Sequence, residues 1–573
     1  MLTWSLQNVP TSAGTCHGCG AAGTLHAHVK TAHQADAGTD CIFDRCSNCG
    51  SLSLRGQMIA FEHLYDTDEA LFVRSYVESS GGLWEMLWPV ALLADARDRS
   101  FLEVGCGFGF TVDWWHRCMN ADAIGCDPAI YSAVGRKLLG SHIHNALLAD
   151  VPEARGRQFD LIYASEVIEH VDNPVAFVHE LAARLTPRGV LVLTTPAAEF
   201  VAPENSDHTV TAALAPGFHG VLFSEKQLGA LMRQSGFACV ETRRYNERLV
   251  CWCSAEPVRF LGGADAALPV YFGYLADIVN RLQVLQSTDK DIDSQRISLR
   301  AGAAYRLYKE LVLRGQVAEA RKWRHAAHRD LLLEHRTGSS TEAAVDAFLA
   351  TADGSFETFV AGARLYLPQL CFVEGQVAER EGDVASAARW YRRCEAATRW
   401  IVAGSRLGNI EASAFVWSAI AGLVRTFAAG KQLQELQGAA MAIAFAVIRR
   451  DSPYASVPDP VTAANGLLQA FAAMQESGGN HFSGLIEAMQ QQNVPPHPLL
   501  SAAIALARAR HAQDILADQA LAGRIADDAR KALDLQAETP AGRWLGADVT
   551  ASLRQALTRY VPTPASFSSL FAR

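Results

Sequence analysis

The 573-residue chain is short of charge in general and of basic charge in particular. Charged residues make up 19%, with 51 Lys and Arg against 60 Asp and Glu, a net charge of -9 and a pI near 6.1. A protein that grips phosphate backbones relies on clustered Lys and Arg, so this balance argues against nucleic acid as a substrate. Long apolar runs are missing too. The longest, such as Ala439 to Ile448, fall well short of the roughly 20 residues a membrane span needs. The opening MLTWSLQNVP has neither a basic n-region nor an apolar h-region, so no secretory signal is expected and a cytoplasmic location is. What is present is a composition 49% hydrophobic, ordinary for a globular protein and long enough for two to four domains.

Three regions separate by pattern. Residues 1–56 are rich in Cys, His, Gly and Thr, lack helical periodicity, and read as a small loop-rich module. Residues 57–255 alternate short β-type runs with helical stretches, the signature of a parallel sheet with crossover helices. Strands are predicted at Phe101–Val104, Ala121–Cys126, Phe159–Ser165, Gly189–Thr195 and Ala238–Tyr245, and helices at Val175–Leu185 and Ser224–Gln234. The fold class predicted is doubly wound α/β. Residues 256–573 lose the strand signal and are predicted all-helical. Within them Leu313-Arg-Gly315 to Trp323 lines up with Arg380-Glu-Gly382 to Trp390, repeating Gly, Ala and an aromatic at an offset of 67. That is close to twice the tetratricopeptide period of about 34 residues. Both an irregular helical domain and a tetratricopeptide-like array fit this pattern, and either offers surfaces for protein partners.

Glu103-Val-Gly105-Cys-Gly107-Phe-Gly109 follows a β-run and precedes a helix, which puts glycines at the first strand-to-helix turn, where they let a ligand approach the backbone. A dinucleotide fingerprint would read G-x-G-x-x-G. This loop reads E-x-G-x-G-x-G, and a carboxylate, Asp127, stands 24 residues after Glu103 at the tip of the next strand, where it can accept hydrogen bonds from two ribose hydroxyls.

Together with Asp150, FDLIYASEVIEHV and LTPRGVLVLTTP, these motifs resemble the class I S-adenosylmethionine (SAM)-dependent methyltransferases over about Leu92 to Gln234, closest to the branch acting on quinones, sugars and other small molecules. The resemblance implies a Rossmann-like core with Gly105 and Gly107 against SAM, Glu103 touching SAM or orienting the loop, Asp127 on the ribose, Asp150 on the adenine amine, and Ser165 and Glu166 near the sulfonium. Tyr76, just ahead of the core, is placed either as a lid on that site or as a surface aromatic.

SAM already carries an activated methyl group, so the protein mainly has to align a nucleophile with it, and a base is needed only where the acceptor must lose a proton. Histidine titrates in the right range. His219, in Gly217-Phe-His219-Gly-Val-Leu-Phe-Ser224, is ranked first; it matches the last histidine of a His-Glu-His pattern that precedes Tyr-Phe-Ser in sugar C-methyltransferases, although Gly217 and Leu222 depart from that pattern. His170, in SEVIEHV, is second, and His208, in ENSDHT, third.

Cys16-His-Gly-Cys19 and Cys46-Ser-Asn-Cys49, separated by 26 residues, have the spacing of two knuckles closing one tetrahedral ion, and a structural zinc is expected there. Cys41 is left as a buried thiol or a substitute ligand. The sugar C-methyltransferases also carry an N-terminal zinc module. The leading expectation is therefore SAM-dependent methylation of a small molecule or glycan, foremost a sugar or sugar nucleotide, at oxygen or carbon. The alternatives are an RNA methyltransferase with a zinc module and a non-catalytic scaffold built on a SAM fold.

Overall fold

The computed structural model describes residues 2–4, 14–33, 38–56, 58, 69–79, 82–96, 99–140, 142–203, 205, 207–245, 247–282, 290–329, 331–333, 341–351, 354–404, 410–449 and 454, then 462–463, 466–467, 469–470, 505–506, 509, 519–537 and 554–555. The chain divides into two compact units, residues 1–311 with 318–331, and residues 312–317 with 332–573.

The first unit is built on a seven-stranded sheet. Its strands are β5 (Phe101–Val104), β6 (Ala123–Cys126), β7 (Ile143–His144), β8 (Phe159–Ser165), β9 (Leu185–Pro196), β11 (Cys239–Tyr245) and β12 (Arg248–Ser254), in the order β11-β12-β9-β8-β5-β6-β7. Strands β5 to β9 pair in parallel, while β12 runs antiparallel to both β9 and β11. The central strands β5 and β6 are buried at every position, as a sheet covered on both faces requires. The chain starts at β5, builds outward through β6 and β7, then returns to the other side of β5 with β8. That reversal is where an open α/β sheet leaves a crevice at its carboxyl edge.

Helices α3 (Phe110–Cys118), α4 (Ile130–Leu139), α5 (Pro174–Ala183) and α7 (Glu225–Gln234) accompany these strands. Local chemistry sets two of their starts. Asn173 caps α5 by accepting from Ala176 N–H with Pro174 in the first turn, and Ser224 caps α7 by accepting from Gln227 N–H.

Of the predicted strands, Phe101–Val104 and Phe159–Ser165 are present with the same ends and the other three with shifted ends; the two-residue β7 was not foreseen, nor was the longer β12. Its sequence RLVCWCS is buried almost throughout and pairs residue by residue with β9, but it follows β11 so closely that the two read as a single element.

The N-terminal segment is more ordered than its composition suggests. Strands β1 (Thr3–Trp4), β2 (Leu25–Ala32), β3 (Asp40–Cys46) and β4 (Leu52–Leu54) form an antiparallel sheet that gains a fifth strand, β10 (Val221–Leu222), from beyond β9. Val29, Cys41, Phe43, Leu52 and Leu54 share a core with Ala198, Val201, Val210, Leu214 and Leu222. LHAHVKTA alternates apolar Leu25, Ala27 and Val29 with polar His26, His28 and Lys30, a strand signal that the composition of the segment overshadows.

Helix α8 (Leu268–Arg281) also belongs to the first unit. Its Tyr274 and Arg281 both bind the buried Asp113 of α3. The second unit is helical among its described residues, with α13 (Leu367–Arg380), α14 (Val384–Gly404) and α15 (Ile410–Ala429) packed together. Tyr391 of α14 is wedged between Gly375 of α13 and Gly422 of α15, where an added Cβ would come within 2.4 and 2.5 Å of its ring. Gly315 and Gly382, aligned in the sequence repeat, both adopt a left-handed φ, 78° and 79°, at a helix-to-helix turn, with Ala320 and Ala387 fully buried after them. No helix among the described residues is long and apolar enough to cross a membrane.

Candidate active site at the carboxyl edge of the sheet

Gly105, Gly107 and Gly109 all have positive φ, 70°, 56° and 87°, so the turn between β5 and α3 needs glycine at each. A Cβ at Gly105 would lie 2.3 Å from Val167 Cγ2. At Gly107 it would meet the Tyr76 hydroxyl at 3.3 Å. Tyr76, on α1 (Glu69–Ser79), stacks on Phe108 and leans on Tyr131, which sets it over the glycine turn.

Asp127 closes the other side. It is 4% exposed, with one oxygen accepting from Gly107 N–H at 2.9 Å and the other from Ala129 N–H at 2.8 Å. Burial raises its carboxyl to about 6 even though both amides favour the ionised form. Asn145, which sequence reading missed, clamps the turn after Asp127 through its amide to the carbonyls of Asp127, Pro128 and Ala129. An isolated Asn after a short edge strand carries no signal that would have marked it.

Glu103 is fully buried and neither of its oxygens has a hydrogen-bond partner. Burial first, and the charge of Asp127 second, push it well above the usual carboxylate range, against the lowering effect of Thr111 and the Val112 backbone. Buried acceptors without donors are costly unless a ligand supplies them. The Glu103 carboxyl, the glycine turn and the two-oxygen Asp127 cradle thus fit a ligand that brings hydroxyl and ammonium donors, as SAM does. Asp150 is exposed at the end of the 3-10 turn Leu148–Asp150.

A second group of side chains lies at the ends of β8 and β9. Ser165 Oγ and Thr194 Oγ1 are 2.8 Å apart, and Thr194 donates to Glu166 at 2.9 Å. Glu166 has a left-handed φ of 56°, unusual for a residue with a side chain, and its other oxygen lies 3.7 Å from Arg248 Nε. Next, Glu169, His170 and His219 each offer a ligand atom within 4.8 Å of the others. The two rings meet edge to face at 4.6 Å. His170 Nδ1 donates to the Phe218 carbonyl at 3.0 Å and His219 Nδ1 to the Ala213 carbonyl at 2.8 Å; a carbonyl can only accept, which leaves the lone pair of each neutral ring on Nε2.

Burial pushes both imidazoles below their ordinary range, His219 well below it with His170 adding to the effect. Glu169 is fully buried, takes Thr195 Oγ1 at 2.9 Å on one oxygen and has no partner on the other, and burial followed by the nearby Glu166 raises it well above the carboxylate range. Sequence reading named both histidines and missed Glu169 and Thr195. Their signal was present: Glu169 precedes His170 in SEVIEHV, and Thr195 ends the apolar run of β9. His208 falls in α6 (Asp207–Leu214), with its side chain outside the described residues.

Residues 85–242 match a family model described as a methyltransferase domain. Over 98 residues the chain is 35% identical to a ubiquinone biosynthesis O-methyltransferase of Rhodopseudomonas palustris strain BisB5, covering 16% of this chain and 38% of that protein. A ubiquinone biosynthesis O-methyltransferase of Roseobacter denitrificans is 28% identical over 162 residues, covering 26% and 64%. The chain thus spans less than two thirds of the length of these curated relatives. Among solved structures, an O-methyltransferase family protein from Burkholderia thailandensis aligns at 19% identity and a TM-score of 0.27, over 34% of this chain and 62% of that one. The matched residues contain both the glycine turn with Asp127 and the Glu169, His170 and His219 group.

The four knuckle cysteines form a separate cluster. Cys16, Cys19, Cys46 and Cys49 place their sulfurs within 4.8 Å of one another, with Cys16 to Cys49 and Cys19 to Cys46 at 3.7 Å. Four thiolates bound tetrahedrally at about 2.3 Å would be spaced about 3.8 Å apart, so the set fits zinc. Cys41 sits in the apolar core beside Val29 and Phe43, away from this cluster.

Proposed function

We propose that the protein is a SAM-dependent methyltransferase that transfers the methyl group to a hydroxyl oxygen of a small molecule. The observation that carries this reading is the pairing, along one sheet edge, of a donor-hungry cradle (Glu103, Gly105, Gly107, Asp127) with a buried Glu169, His170 and His219 group. The first half holds SAM, with Asp127 on the ribose hydroxyls, Asp150 toward the adenine, and Ser165 and Glu166 beside the sulfonium. The second half faces the acceptor. The acceptor oxygen forms its bond to the methyl carbon as the carbon–sulfur bond breaks, releasing S-adenosylhomocysteine, and the acceptor proton passes to Nε2 of His219 or His170. Orientation provides much of the acceleration, and the proton transfer contributes about 10²–10⁴-fold.

The depressed histidines favour a second reading of the same group. Two neutral imidazoles with Nδ1 anchored on carbonyls, and a carboxylate steadied by Thr195, make a ligand set for a divalent cation, in which outer hydrogen bonds fix each ligand's orientation. Such an ion would lower the pKa of an acceptor hydroxyl. The similarity to O-methyltransferases supports oxygen as the methylated atom; the sugar or sugar-nucleotide acceptor and C-methylation rest on the sequence resemblance alone. On this reading residues 57–255 form the catalytic domain, zinc in the 1–56 module is structural, the 256–573 region with its tetratricopeptide-like turns binds protein partners, and the enzyme acts in the cytoplasm.

The test is incubation of the purified protein with methyl-labelled SAM against sugar nucleotides, quinols and RNA, with and without added Mg²⁺, Mn²⁺ or Zn²⁺. Labelled product from a small hydroxylated acceptor is expected. Product from RNA alone, or SAM binding that calorimetry fails to detect, would overturn the reading.

A further inference from the structure

The segment that carries His219 is bonded directly to the cysteine knuckles. Both knuckles take part. Gln227, buried on the first turn of α7, donates from Nε2 to the Gly18 carbonyl inside Cys16–Cys19 at 2.9 Å. Ser224 donates from Oγ to the Cys49 carbonyl at 2.6 Å, and its own N–H is received by Ser51 Oγ at 3.0 Å. His17, also inside the first knuckle, donates from Nδ1 to the Gly220 carbonyl at 3.3 Å, and Leu54 N–H reaches the same carbonyl at 3.0 Å. Strand β10, two residues beyond His219, pairs among the described residues with β4, Val221 against Ser53 and Leu222 against Leu52. From the other side, Gly220 N–H donates to the Glu169 carbonyl at 2.9 Å. One run of ten residues, 218–227, is therefore held between the cysteine cluster and the group formed by Glu169, His170 and His219.

These bonds are specific in kind. The knuckle carbonyls of Gly18 and Cys49 point at α7 only while the two C-x-x-C turns keep their shape, and thiolate turns of this sort hold their shape through the ion they bind. The glycine cradle takes no part in this network, because Gly105, Gly107 and Asp127 are fixed by β5, β6 and Asn145.

We propose that the four-cysteine site is a positioning device for the acceptor half of the active site: zinc on Cys16, Cys19, Cys46 and Cys49 fixes the knuckle carbonyls, which fix residues 218–227, which hold His219 against His170 and Glu169. Ser224, Gln227 and His17 are the positioning residues. This rests on the methyltransferase reading for its kinetic consequence but not for its mechanical one, and the two are measured separately.

Two variants test it: Cys19→Ser, which removes one zinc ligand, and Gln227→Leu, which keeps all four thiolates and removes the bond to Gly18. Bound zinc is measured by thiol-reagent release, SAM affinity by calorimetry, and backbone mobility by amide hydrogen exchange resolved to peptides covering 101–127 and 217–227. Gln227→Leu is expected to retain zinc, bind SAM within about twofold of wild type, exchange faster over 217–227 only, and lose about tenfold in turnover at saturating SAM, the scale of one buried hydrogen bond. Cys19→Ser is expected to show the same pattern with a larger loss. Unchanged exchange over 217–227 in both variants would overturn the proposal. So would equal loosening of 101–127 with loss of SAM binding, because the cysteines would then be a general staple. If wild type turns over no acceptor, the methyltransferase reading fails while the exchange data still decide the mechanical coupling.

Discussion

The carboxyl edge of the sheet and the helical second unit treat carboxylates in opposite ways. In the helical unit Glu379 and Asp346 go down, because arginines meet them. Arg425 and Tyr391 both reach Glu379, and Arg393 forks onto Asp346. At the sheet edge Glu103, Asp127 and Glu169 all go up, through burial, with a neighbouring carboxylate adding to it at Glu103 and Glu169. The amino end of the same sheet behaves like the helical unit, since Asp160 is held low by Ser100 and Thr186. Paired charges stabilise a shape, whereas unpaired buried carboxyls cost stability and are retained where a ligand completes them.

The sharpest way to break this contrast is within the acceptor half. His219→Ala is expected to lower turnover about 10²–10⁴-fold while SAM binding stays within about twofold, by calorimetry alongside single-turnover assay. Full activity would remove His219 from proton transfer and from any cation site. In the cofactor half, Asp127→Ala is expected to weaken SAM binding at least about 100-fold, since two charge-assisted hydrogen bonds go with it.

In the helical unit, Gly375→Ala drives a methyl into the Tyr391 ring. A loss of about 2 kcal/mol is expected in denaturant unfolding, with SAM affinity unchanged. A matching loss of SAM affinity would mean that the two regions are not as separable as their charge patterns indicate.

The smallest effect concerns pH. Asp127 is raised to about 6 in the folded chain, above its ordinary 3.8, so ionising it costs folding stability as pH climbs between those values. Ribose hydroxyls favour the ionised form. SAM affinity should therefore fall about fivefold from pH 6 to pH 5 and level off above about pH 7, measured with a nonreactive SAM analogue.

The cofactor half was far more legible in sequence than the acceptor half, for a physical reason. A turn that demands left-handed backbone admits little but glycine, so Gly105, Gly107 and Gly109 mark themselves, and Asp127 follows at a strand-set distance. The acceptor half draws Glu169 and His170 from the 3-10 turn after β8, Thr195 from β9 and His219 from a loop some fifty residues on, and only the folded sheet brings them together. Strand β12 and the N-terminal sheet were hidden in the same way, one by fusing with β11 and the other because half its partners, including β10, lie far along the chain.

The account's central claim is that cofactor and acceptor groups occupy separable halves of one edge. Titrating SAM by calorimetry into wild type, Asp127→Ala and Glu169→Gln tests it most directly. Wild type and Glu169→Gln should bind alike and Asp127→Ala should not bind measurably. Failure of the wild type to bind SAM, or a loss in Glu169→Gln as large as in Asp127→Ala, would contradict it.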